Sequence, residues 1–308
     1  MKPQHAPKRA TAVPAGNILV KRYEQLLGEQ FTVPKKRDCL RINTLKAPAD
    51  IVERLEKQGA KLTRVPFLPD AYWYESKHSL GATTEYLLGY YYLQEAAGQL
   101  PALVLDPPKG AIVLDMAASP GSKTTQLAAL VSNTGVIVAT ELKSNRMDAL
   151  AENLERCGVT NAILYRKDAR FVTDLHKQFT HILLDAPCSG NPVIESEYFE
   201  RKTLATIKDM QGIQRELLKA AVAVLAPGGT LVYSTCSLEP EENELQVVWT
   251  LKQFPDLTLE PILLEVGQPG YTTVFGETLP ETIRKTVRLW PQNTGTQAFF
   301  VAKFRKKQ

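Results

Sequence analysis

The sequence predicts an α/β protein built around a doubly wound, Rossmann-like parallel sheet. From residue 111 onward, short apolar runs alternate with longer amphipathic segments, which is typical of strands that helices cover on both faces. Acidic residues end four of these runs, and ligands of doubly wound proteins bind at the carboxyl ends of the strands. The composition agrees with a globular chain, because 44% of the 308 residues are hydrophobic and 23% are charged.

Before residue 110 the pattern is that of a smaller unit. We interpret residues 1–16 as a flexible basic tail and residues 17–109 as an RRM-like α+β unit with linker helices. Residues 110–308 form the Rossmann-like domain. The expected elements of the first unit are helices at 17–29 and 49–58, strands at 39–44, 61–65 and 72–74, and a helix within 86–105 that starts with Tyr90, Tyr91 and Tyr92.

The larger domain is predicted to alternate strands and helices before it ends in a strand. A last strand at 298–305 is expected to lie antiparallel at one edge of the sheet. The other expected strands are 111–116, 136–142, 162–165, 181–185 and 230–236, and the expected helices are 122–131, 144–157 and 209–225.

The charge distribution and the missing motifs exclude several classes of protein. Residues 1–66 carry 14 Lys and Arg against 6 Asp and Glu, so a basic front precedes an acidic remainder, as in chains that meet a polyanion. No apolar run approaches the roughly 20 residues of a membrane span, and the N-terminus has no apolar segment of a secretory signal. The four cysteines form no C-x-x-C and the four histidines form no H-E-x-x-H, so we expect no metal site. We expect a monomer in the reducing cytoplasm.

Four carboxylates are predicted to line a ligand crevice: Asp115, Glu141, Asp168 and Asp185. The first strand-to-helix turn, D-M-A-A-S-P-G-S-K-T at 115–124, has neither the G-x-G-x-x-G of dinucleotide sites nor a Walker A pattern. Its small residues would still admit a ligand, while Glu141 could accept a ribose diol and Asp168 an exocyclic amine. These requirements favour S-adenosylmethionine, and NAD is the alternative.

Two cysteines are predicted to lie over the same crevice. Cys188 follows one strand in D-A-P-C-S-G, and Cys236 follows the next in S-T-C-S. A thiolate is suited to adding to an electron-poor ring, and loop N–H groups or Lys123 could lower the pKa of a thiol. Attack at carbon 6 of cytosine would activate carbon 5 toward a methyl sulfonium. That chemistry needs a nucleophile, an acid at ring nitrogen 3 and a base, and Cys236, Asp185 and Cys188 provide these groups.

The chain resembles the RNA cytosine-5 methyltransferases of the Nop/Sun type over roughly residues 38–305. The strings that carry the resemblance are L-R-I-N-T-L-K, D-M-A-A-S-P-G-S-K-T, D-A-P-C-S-G and S-T-C-S-L-E-P-E-E-N-E. The resemblance implies that Cys236 is the nucleophile, that Cys188 assists product release, and that Lys123 and Asp185 belong to the catalytic site. It also implies a cofactor site lined by Ala117, Ala118, Ser119, Pro120, Gly121, Ser122, Lys123, Glu141, Arg146, Asp168 and Asp185.

The chain departs from the family pattern in three places. After P-C-S-G the family often continues with small residues and glycine, whereas residues 191–194 read N-P-V-I. A common P-H followed by G-x-D-G-F-F reads Pro291-Gln292 and then G-T-Q-A-F-F here. No segment has the length of the PUA module that many relatives carry. The first two departures concern the loop that meets the target base, and the third concerns the identity of the substrate.

The resemblance implies an RNA partner. We expect Lys35, Lys36, Arg37 and Arg41 to contact phosphates, with Arg41 singled out because it lies inside the family-like motif, and C-terminal Lys and Arg residues to add to them. The short chain favours tRNA over rRNA as the substrate. A catalytically silent RNA-binding assembly factor is a further alternative.

Overall fold

The computed structural model describes residue 14, residues 16–195 and residues 197–308. Apart from Pro14 and Gly16, the predicted basic tail lies outside the described residues. Two sheets organise the chain, one of four strands and one of nine. No helix in the described ranges is long and apolar enough to cross a membrane.

The first sheet has the RRM-like order that the sequence predicts. Four antiparallel strands lie in the order β2-β3-β1-β4, with one helix between β1 and β2 and another between β3 and β4. The strands are β1 (Cys39–Ile42), β2 (Lys61–Arg64), β3 (Ala71–Glu75) and β4 (Tyr91–Leu93), and the helices up to this point are α1 (Ile18–Leu27), α2 (Ile51–Lys57) and α3 (Thr84–Leu87).

One prediction in this unit is wrong. Tyr91 and Tyr92 do not start a helix but lie in β4, where Tyr92 pairs with Arg41 of β1. Aromatic residues favour strands, and the partner strand supplies the hydrogen bonds that a short helix would otherwise provide. The helix expected in this stretch begins only at Leu100.

The second sheet has five parallel strands at its centre, in the order β7-β6-β5-β8-β9, continued by antiparallel strands β15, β14 and β11. Strand β10 also pairs with β15, and β12 and β13 form a separate hairpin. The strands are β5 (Ile112–Asp115), β6 (Val136–Glu141), β7 (Ala162–Arg166), β8 (Phe179–Asp185), β9 (Leu225–Thr235), β10 (Leu257–Glu260), β11 (Gln268–Pro269), β12 (Thr273–Val274), β13 (Glu277–Thr278), β14 (Val287–Leu289) and β15 (Phe299–Lys306).

The remaining helices cover both faces of this sheet, as the doubly wound prediction requires. Along the strands, Val113 belongs to the apolar cluster that includes α4 and α5, while Leu114 belongs to the cluster that includes α8 and α9. The helices are α4 (Leu100–Leu105), α5 (Ser122–Leu130), α6 (Ser144–Cys157), α7 (Tyr198–Arg201), α8 (Leu204–Val224), α9 (Glu244–Gln253) and α10 (Pro291–Thr294).

Three elements differ from the prediction, and one of them is strand β9, which begins at Leu225 rather than 230. Helix α8 begins at Leu204 rather than 209, because Thr203 and Thr206 form a reciprocal capping box in front of it. Strand β15 is antiparallel as predicted, but it is not an edge strand. It pairs with β9 on one side and with β14 and β10 on the other. Its apolar residues are therefore buried by neighbours on all sides.

The two sheets share a continuous apolar interface. Cys39 of β1 and Ala71 of β3 are buried in the same cluster as Leu100 and Val113 of the larger domain. The opposite face of the small sheet packs Leu40 against Leu55 of α2. Both faces of the small sheet are therefore covered, and the larger domain occupies the face that the helices α2 and α3 leave open.

A buried ion pair supports the strand next to β15. Arg288 of β14 donates from Nε to Glu244 Oε1 at 2.9 Å and from Nη1 to the Leu238 carbonyl at 2.7 Å, and both charged side chains are fully buried. Removing one partner of such a pair leaves an uncompensated charge in a medium that solvates it poorly.

We expect Glu244→Gln to lower the free energy of unfolding by about 3–5 kcal/mol, because the Arg288 charge remains buried without its counterion. Urea denaturation followed by circular dichroism measures the change. Glu216→Gln is the matched control, since its exposed pair with Lys219 is worth at most about 1 kcal/mol. Equal losses in the two variants would refute this role for the buried pair.

Candidate active site

The two cysteines lie together at the carboxyl ends of neighbouring strands. Strands β8 and β9 pair in parallel with Asp185 opposite Ser234, so the loops that follow them leave the sheet side by side. Cys188 Sγ and Cys236 Sγ are 3.0 Å apart, and both thiols are half-buried and free. The structure thus brings together the two residues that the sequence placed over one crevice.

Electrostatics distinguishes the two thiols. The hydrogen bond with Cys236 raises the pKa of Cys188 well above its usual range, and burial and the negative charges of Cys236 and Glu242 act in the same direction. Cys188 is therefore held as the thiol and can donate its proton to Cys236. The ammonium of Lys123 is close enough to Cys236 for the charges of the two side chains to interact.

Lys123 and Asp185 form an ion pair close to Cys236. Lys123 Nζ is 2.6 Å from Asp185 Oδ2. Burial lowers the pKa of Lys123, but the charge and hydrogen bond of Asp185 outweigh it, so the pKa lies above its usual value. The second oxygen, Asp185 Oδ1, accepts a hydrogen bond from Ser234 Oγ at 2.7 Å. The carboxylate is thus held from two sides.

Sequence reasoning missed three residues that support this site: Ser234, Asn191 and Glu242. Asn191, within the departure at 191–194, donates from Nδ2 to the carbonyls of Cys236 and Ala298, each at 3.1 Å, and so joins the loop of Cys188 to the loop of Cys236. Glu242 contacts the residue after each cysteine. The signal for Glu242 was present in the S-T-C-S-L-E-P-E-E-N-E string, whose acidic residues carry no role in the sequence interpretation.

The turn between β5 and α5 lies at the same edge of the sheet as the two cysteines, because β5 pairs in parallel with β8. Its residues are Met116 through Gly121, followed by Ser122 and Lys123 at the start of α5. The turn is fastened to α6, because Ser119 Oγ donates to the Arg146 carbonyl and Arg146 Nη2 donates to the Ser119 carbonyl, at 2.9 and 2.6 Å. Gly121 has a φ of +101°, and a Cβ there would lie 3.2 Å from Leu150 Cδ1.

Asp115, the last residue of β5, is a buried carboxylate directly before this turn. Its Oδ2 accepts a hydrogen bond from Thr124 Oγ1 at 2.7 Å, while Oδ1 has no hydrogen-bond partner among the described residues. Burial raises the pKa of Asp115 to about 6, and the neighbouring Asp185 charge adds to the effect. An acceptor oxygen without a partner in a buried crevice favours a ligand that carries donors or positive charge.

The other two carboxylates end the next two parallel strands. Glu141 accepts from the Lys143 N–H at 2.8 Å and lies 3.5 Å from Arg146 Nε. Asp168 caps the 3₁₀ turn Ala169–Leu175 and pairs with Arg170, whose hydrogen bonds lower the pKa of this aspartate. All four carboxylates thus lie along one edge of the sheet.

This donor set fits S-adenosylmethionine. The turn offers small residues and accessible backbone, and the edge offers carboxylates for a nucleoside diol and for the cationic amino-acid part. A cluster of three or more His, Cys, Asp or Glu side chains arranged to hold a metal does not occur in the described part of the chain.

The structure does not place Arg41 where a phosphate contact was expected. Its guanidinium is buried between the two sheets and donates to Gln94 Oε1, to the Ser122 carbonyl and to Thr125 Oγ1. Strand β1 packs on the larger domain, so the motif arginine reaches the start of α5 instead of solvent. Arg41 therefore joins the N-terminal unit to the cofactor turn.

Lys35, Lys36 and Arg37 are exposed on the segment between α1 and β1. Arg37 lies over the Trp73 ring at 3.5 Å and passes Gly295, where a Cβ would lie 3.7 Å from its Cδ. Lys36 Nζ is 3.4 Å from Asp38. We call residues 35–37 the basic segment.

Residues 291–298 contact both the chain before the basic segment and a loop of the cysteine site. Gln292, where the family commonly has histidine, accepts from the Thr32 N–H at 3.0 Å and donates to the Gln30 carbonyl at 3.2 Å. The loop that follows Gln292 ends at Ala298, whose carbonyl binds Asn191 beside Cys236. Residues 291–298 therefore contact both the stretch that precedes the basic segment, at Gln30 and Thr32, and Asn191, which also bonds the Cys236 carbonyl.

The C-terminal basic residues lie elsewhere. Strand β15 runs antiparallel to β9, and Arg305 pairs with Thr230, whereas Phe300 pairs with Thr235 near the cysteines. Lys306 and Lys307 bond to carbonyls at that far edge. The expectation that they add to the basic segment is wrong, because the strand carries them to the opposite edge of the sheet.

Comparison with known proteins agrees with this arrangement. The model of the family "16S rRNA methyltransferase RsmB/F" matches residues 102–305, and that of the "N-terminal domain of 16S rRNA methyltransferase RsmF" matches residues 16–96. Ribosomal RNA small subunit methyltransferase F of Cronobacter sakazakii is 41% identical over 280 residues, which are 88% of this chain and 57% of that protein. The chain thus spans little more than half the length of this curated relative.

Two solved structures are similar along most of their length. A methyltransferase homolog protein from Pyrococcus horikoshii shares 43% identity with a TM-score of 0.82, covering 89% of this chain and 87% of that one. NSun6 from Pyrococcus horikoshii, solved with the S-adenosylmethionine analogue SFG, shares 28% identity with a TM-score of 0.79, covering 89% and 92%. These matches confirm the predicted fold class and the family resemblance, and the chain belongs to the 16S rRNA methyltransferase RsmB/F family.

Proposed function

We propose that the protein transfers a methyl group from S-adenosylmethionine to carbon 5 of a cytosine in ribosomal RNA. The observation that carries the proposal is the contact of Cys188 with Cys236 at 3.0 Å, beside the Lys123–Asp185 pair. The relatives are named for small-subunit ribosomal RNA, which supports rRNA over the tRNA that the sequence interpretation favoured. We place the activity in the cytoplasm, where ribosomal RNA and free thiols occur together.

The edge of β5 to β8 holds the cofactor in this proposal. S-adenosylmethionine, when bound, supplies an electrophilic methyl group on a sulfonium. Glu141 accepts hydrogen bonds from the ribose diol. Asp168 accepts from an amine, and the turn Ala117–Ser122 lets the backbone approach the ligand.

Cys236 is the nucleophile. The Lys123 ammonium interacts electrostatically with Cys236, and the Cys188 thiol, 3.0 Å away, can donate a hydrogen bond to the Cys236 sulfur. Bond formation between Cys236 Sγ and carbon 6 moves an electron pair of the carbon 5–carbon 6 double bond to carbon 5. Asp185, oriented by Lys123 and Ser234, faces ring nitrogen 3. A proton taken from solvent and held between this carboxylate and the nitrogen neutralises the charge that the attack places on the ring, and it returns to solvent on release.

Cys188 assists release by removing the proton from carbon 5. The electrons of that C–H bond restore the double bond, the carbon 6–sulfur bond breaks, and its pair leaves on Cys236. Cys188 must first lose its own proton to solvent. Attack on the RNA removes the Cys236 charge and hydrogen bond that raise the Cys188 pKa, so the base becomes available after the nucleophile is engaged.

The basic segment holds the RNA backbone beside this site. Its three side chains are exposed, and the Gln292 and Ala298 contacts keep it next to the cysteine loops. Carbon 5 is reachable only when the cytosine is unstacked, so phosphate contacts near the site help to hold a splayed-out nucleotide.

We expect Cys236→Ala to lower methyl transfer to rRNA by about three orders of magnitude or more, because no other group forms the carbon 6 bond. Tritium transfer from labelled cofactor to small-subunit rRNA measures the rate. Cys157→Ala, at the buried end of α6, is the matched control and should retain activity. Turnover by Cys236→Ala would disprove the nucleophile assignment.

Bisulfite sequencing of a deletion strain identifies the RNA, and loss of a methylated cytosine in tRNA alone would disprove rRNA as substrate.

We expect Cys188→Ala to accumulate a covalent RNA–protein adduct, because methylation proceeds while removal of the carbon 5 proton stalls. The adduct is measured as a slowly migrating band on a denaturing gel and is absent when Cys236 is also replaced. Normal turnover without such a band would argue against the release role.

Replacing Lys35, Lys36 and Arg37 together by Gln should weaken RNA binding and reduce the slope of log affinity against log salt by about 0.7–0.9 for each phosphate that the protein no longer neutralises. Filter binding at several salt concentrations measures both quantities. The control triple Lys219, Lys252 and Lys307 to Gln removes the same charge from exposed positions on other faces of the domain. An equal effect of both triples would show that only net charge matters.

A further inference from the structure

The buried carboxylate of Glu242 forms hydrogen bonds with both cysteine loops. Glu242 Oε1 accepts hydrogen bonds from the hydroxyls of Ser189 and Ser237, the latter at 2.7 Å. Glu242 Oε2 accepts from the Ser189 N–H at 2.9 Å. Ser189 directly follows Cys188 and Ser237 directly follows Cys236, so a single side chain contacts the next residue of both loops.

Helix α8 adds a third anchor to the same group. Gln214 Nε2 donates to Glu242 Oε2 at 2.7 Å and to the Pro187 carbonyl at 3.0 Å. Pro187 directly precedes Cys188. The Cys188 backbone is therefore held on both sides, by Gln214 in front and by Glu242 behind.

The carboxylate itself is fixed on its own segment. Tyr233 donates to the Glu242 carbonyl at 2.6 Å, and the next residue, Asn243, accepts from Thr235 Oγ1 and donates to the Ser237 carbonyl. Glu242 is fully buried, and burial raises its pKa despite the hydrogen bonds that it accepts. A buried carboxylate that accepts four hydrogen bonds is held in place, because moving it would leave its charge and its donors without partners.

We propose that Glu242 is a positioning residue that sets the distance between Cys188 and Cys236. The proposal rests on the proposed function for its catalytic consequence but not for its geometry. No covalent bond joins the two loops, and the strand pairing of β8 and β9 ends at Asp185 and Ser234. Beyond that point the relative position of the thiols depends on contacts between the loops. Asn191 bonds the Cys236 carbonyl and Ser189 Oγ lies 3.3 Å from Ser237 Oγ, whereas Glu242 bonds the residue that directly follows each cysteine.

The charge of Glu242 gives the proposal a second consequence. Its negative charge is among the causes that raise the pKa of Cys188. The same side chain that places Cys188 next to the nucleophile thus also favours its protonated form before RNA is bound. Removing the charge should alter the pH at which Cys188 becomes a base, which a purely structural residue would not do.

The first test needs no RNA. Diamide oxidises two thiols that can meet to a disulfide, taking up both hydrogens, and the rate for Cys188 and Cys236 is measured by peptide mass spectrometry of the full chain. We expect Glu242→Gln to slow this crosslink by about 10- to 100-fold, because an ångström-scale displacement separates the sulfurs. Glu239→Gln is the matched control, since Glu239 is equally buried in the same segment but its carboxylate bonds Tyr23 and Arg22.

A folded Glu242→Gln protein that crosslinks at the wild-type rate would overturn the proposal. Should that variant fail to fold, Ser189→Ala and Ser237→Ala each remove one donor while leaving the carboxylate in place. Each is expected to slow the crosslink, and wild-type rates in both would also overturn the proposal. A wild-type protein that crosslinks but never methylates RNA would refute the proposed function alone.

The second test follows release of methylated RNA. We expect Glu242→Gln to lower kcat by about 10- to 100-fold with an unchanged KM for RNA, because loop geometry acts on chemistry and not on phosphate contacts. The covalent adduct should accumulate, and the pH midpoint of its decay should move to lower pH, because the Cys188 pKa falls when the Glu242 charge is removed. A loss of kcat with an unchanged pH midpoint and no adduct would contradict a positioning role.

Discussion

The parallel pairing of β8 with β9 is the constraint on which the site depends. The register that sets Asp185 opposite Ser234 makes two loops leave the sheet at one height, and Cys188 and Cys236 lie only a few residues further along. Parallel neighbours bring their carboxyl ends to one edge, so groups far apart in the chain meet without any loop having to cross the sheet. Lys123 lies in the first turn of helix α5, which follows the neighbouring strand β5, and it pairs with Asp185 at the same edge.

Around this edge the fold uses buried polar groups rather than apolar packing alone. Glu242, Glu244, Asn243 and Arg288 are fully buried in the segment and strands behind the cysteines. Each finds several partners, which is the condition under which buried polar groups are tolerated. Such networks specify one arrangement because every alternative leaves a donor or a charge unsatisfied. The physical consequence is that the two cysteine loops are held in one arrangement.

The N-terminal sheet illustrates how context changes the use of a surface. RRM domains, which have this strand order, bind RNA on the open face of the sheet, where aromatic side chains stack on bases. Here that face packs on the larger domain and buries Cys39, Ala71 and Arg41. Besides Lys57, Lys61 and Arg64 on α2 and β2, exposed positive charge lies at Lys35, Lys36 and Arg37 on the segment that precedes β1. Gln292 and the loop after it hold that segment near the cysteines.

Local patterns were sufficient for most of the fold. The alternation of apolar runs and amphipathic segments located the strands and helices of the parallel sheet to within a few residues, because that periodicity follows from burial on two faces. It did not reveal that the tyrosines at 91 and 92 join a strand or that β15 lies inside the sheet. The first depends on strand β1, about 50 residues earlier in the chain. The second depends on β14 and β10, which pair with the side of β15 that faces away from β9, and no local period records such pairings.

The sequence by itself determined the fold class and the family and located the candidate site residues, since four strand-end carboxylates and two cysteines in short motifs are local features. Only the tertiary structure decided which charges are free to meet RNA and which support the site. Arg41 binds Gln94 and Thr125, and Glu242 binds Ser189 and Ser237. The physical reason is that a charged side chain acquires its role from its burial and its partners, and both are set by contacts distant in the chain.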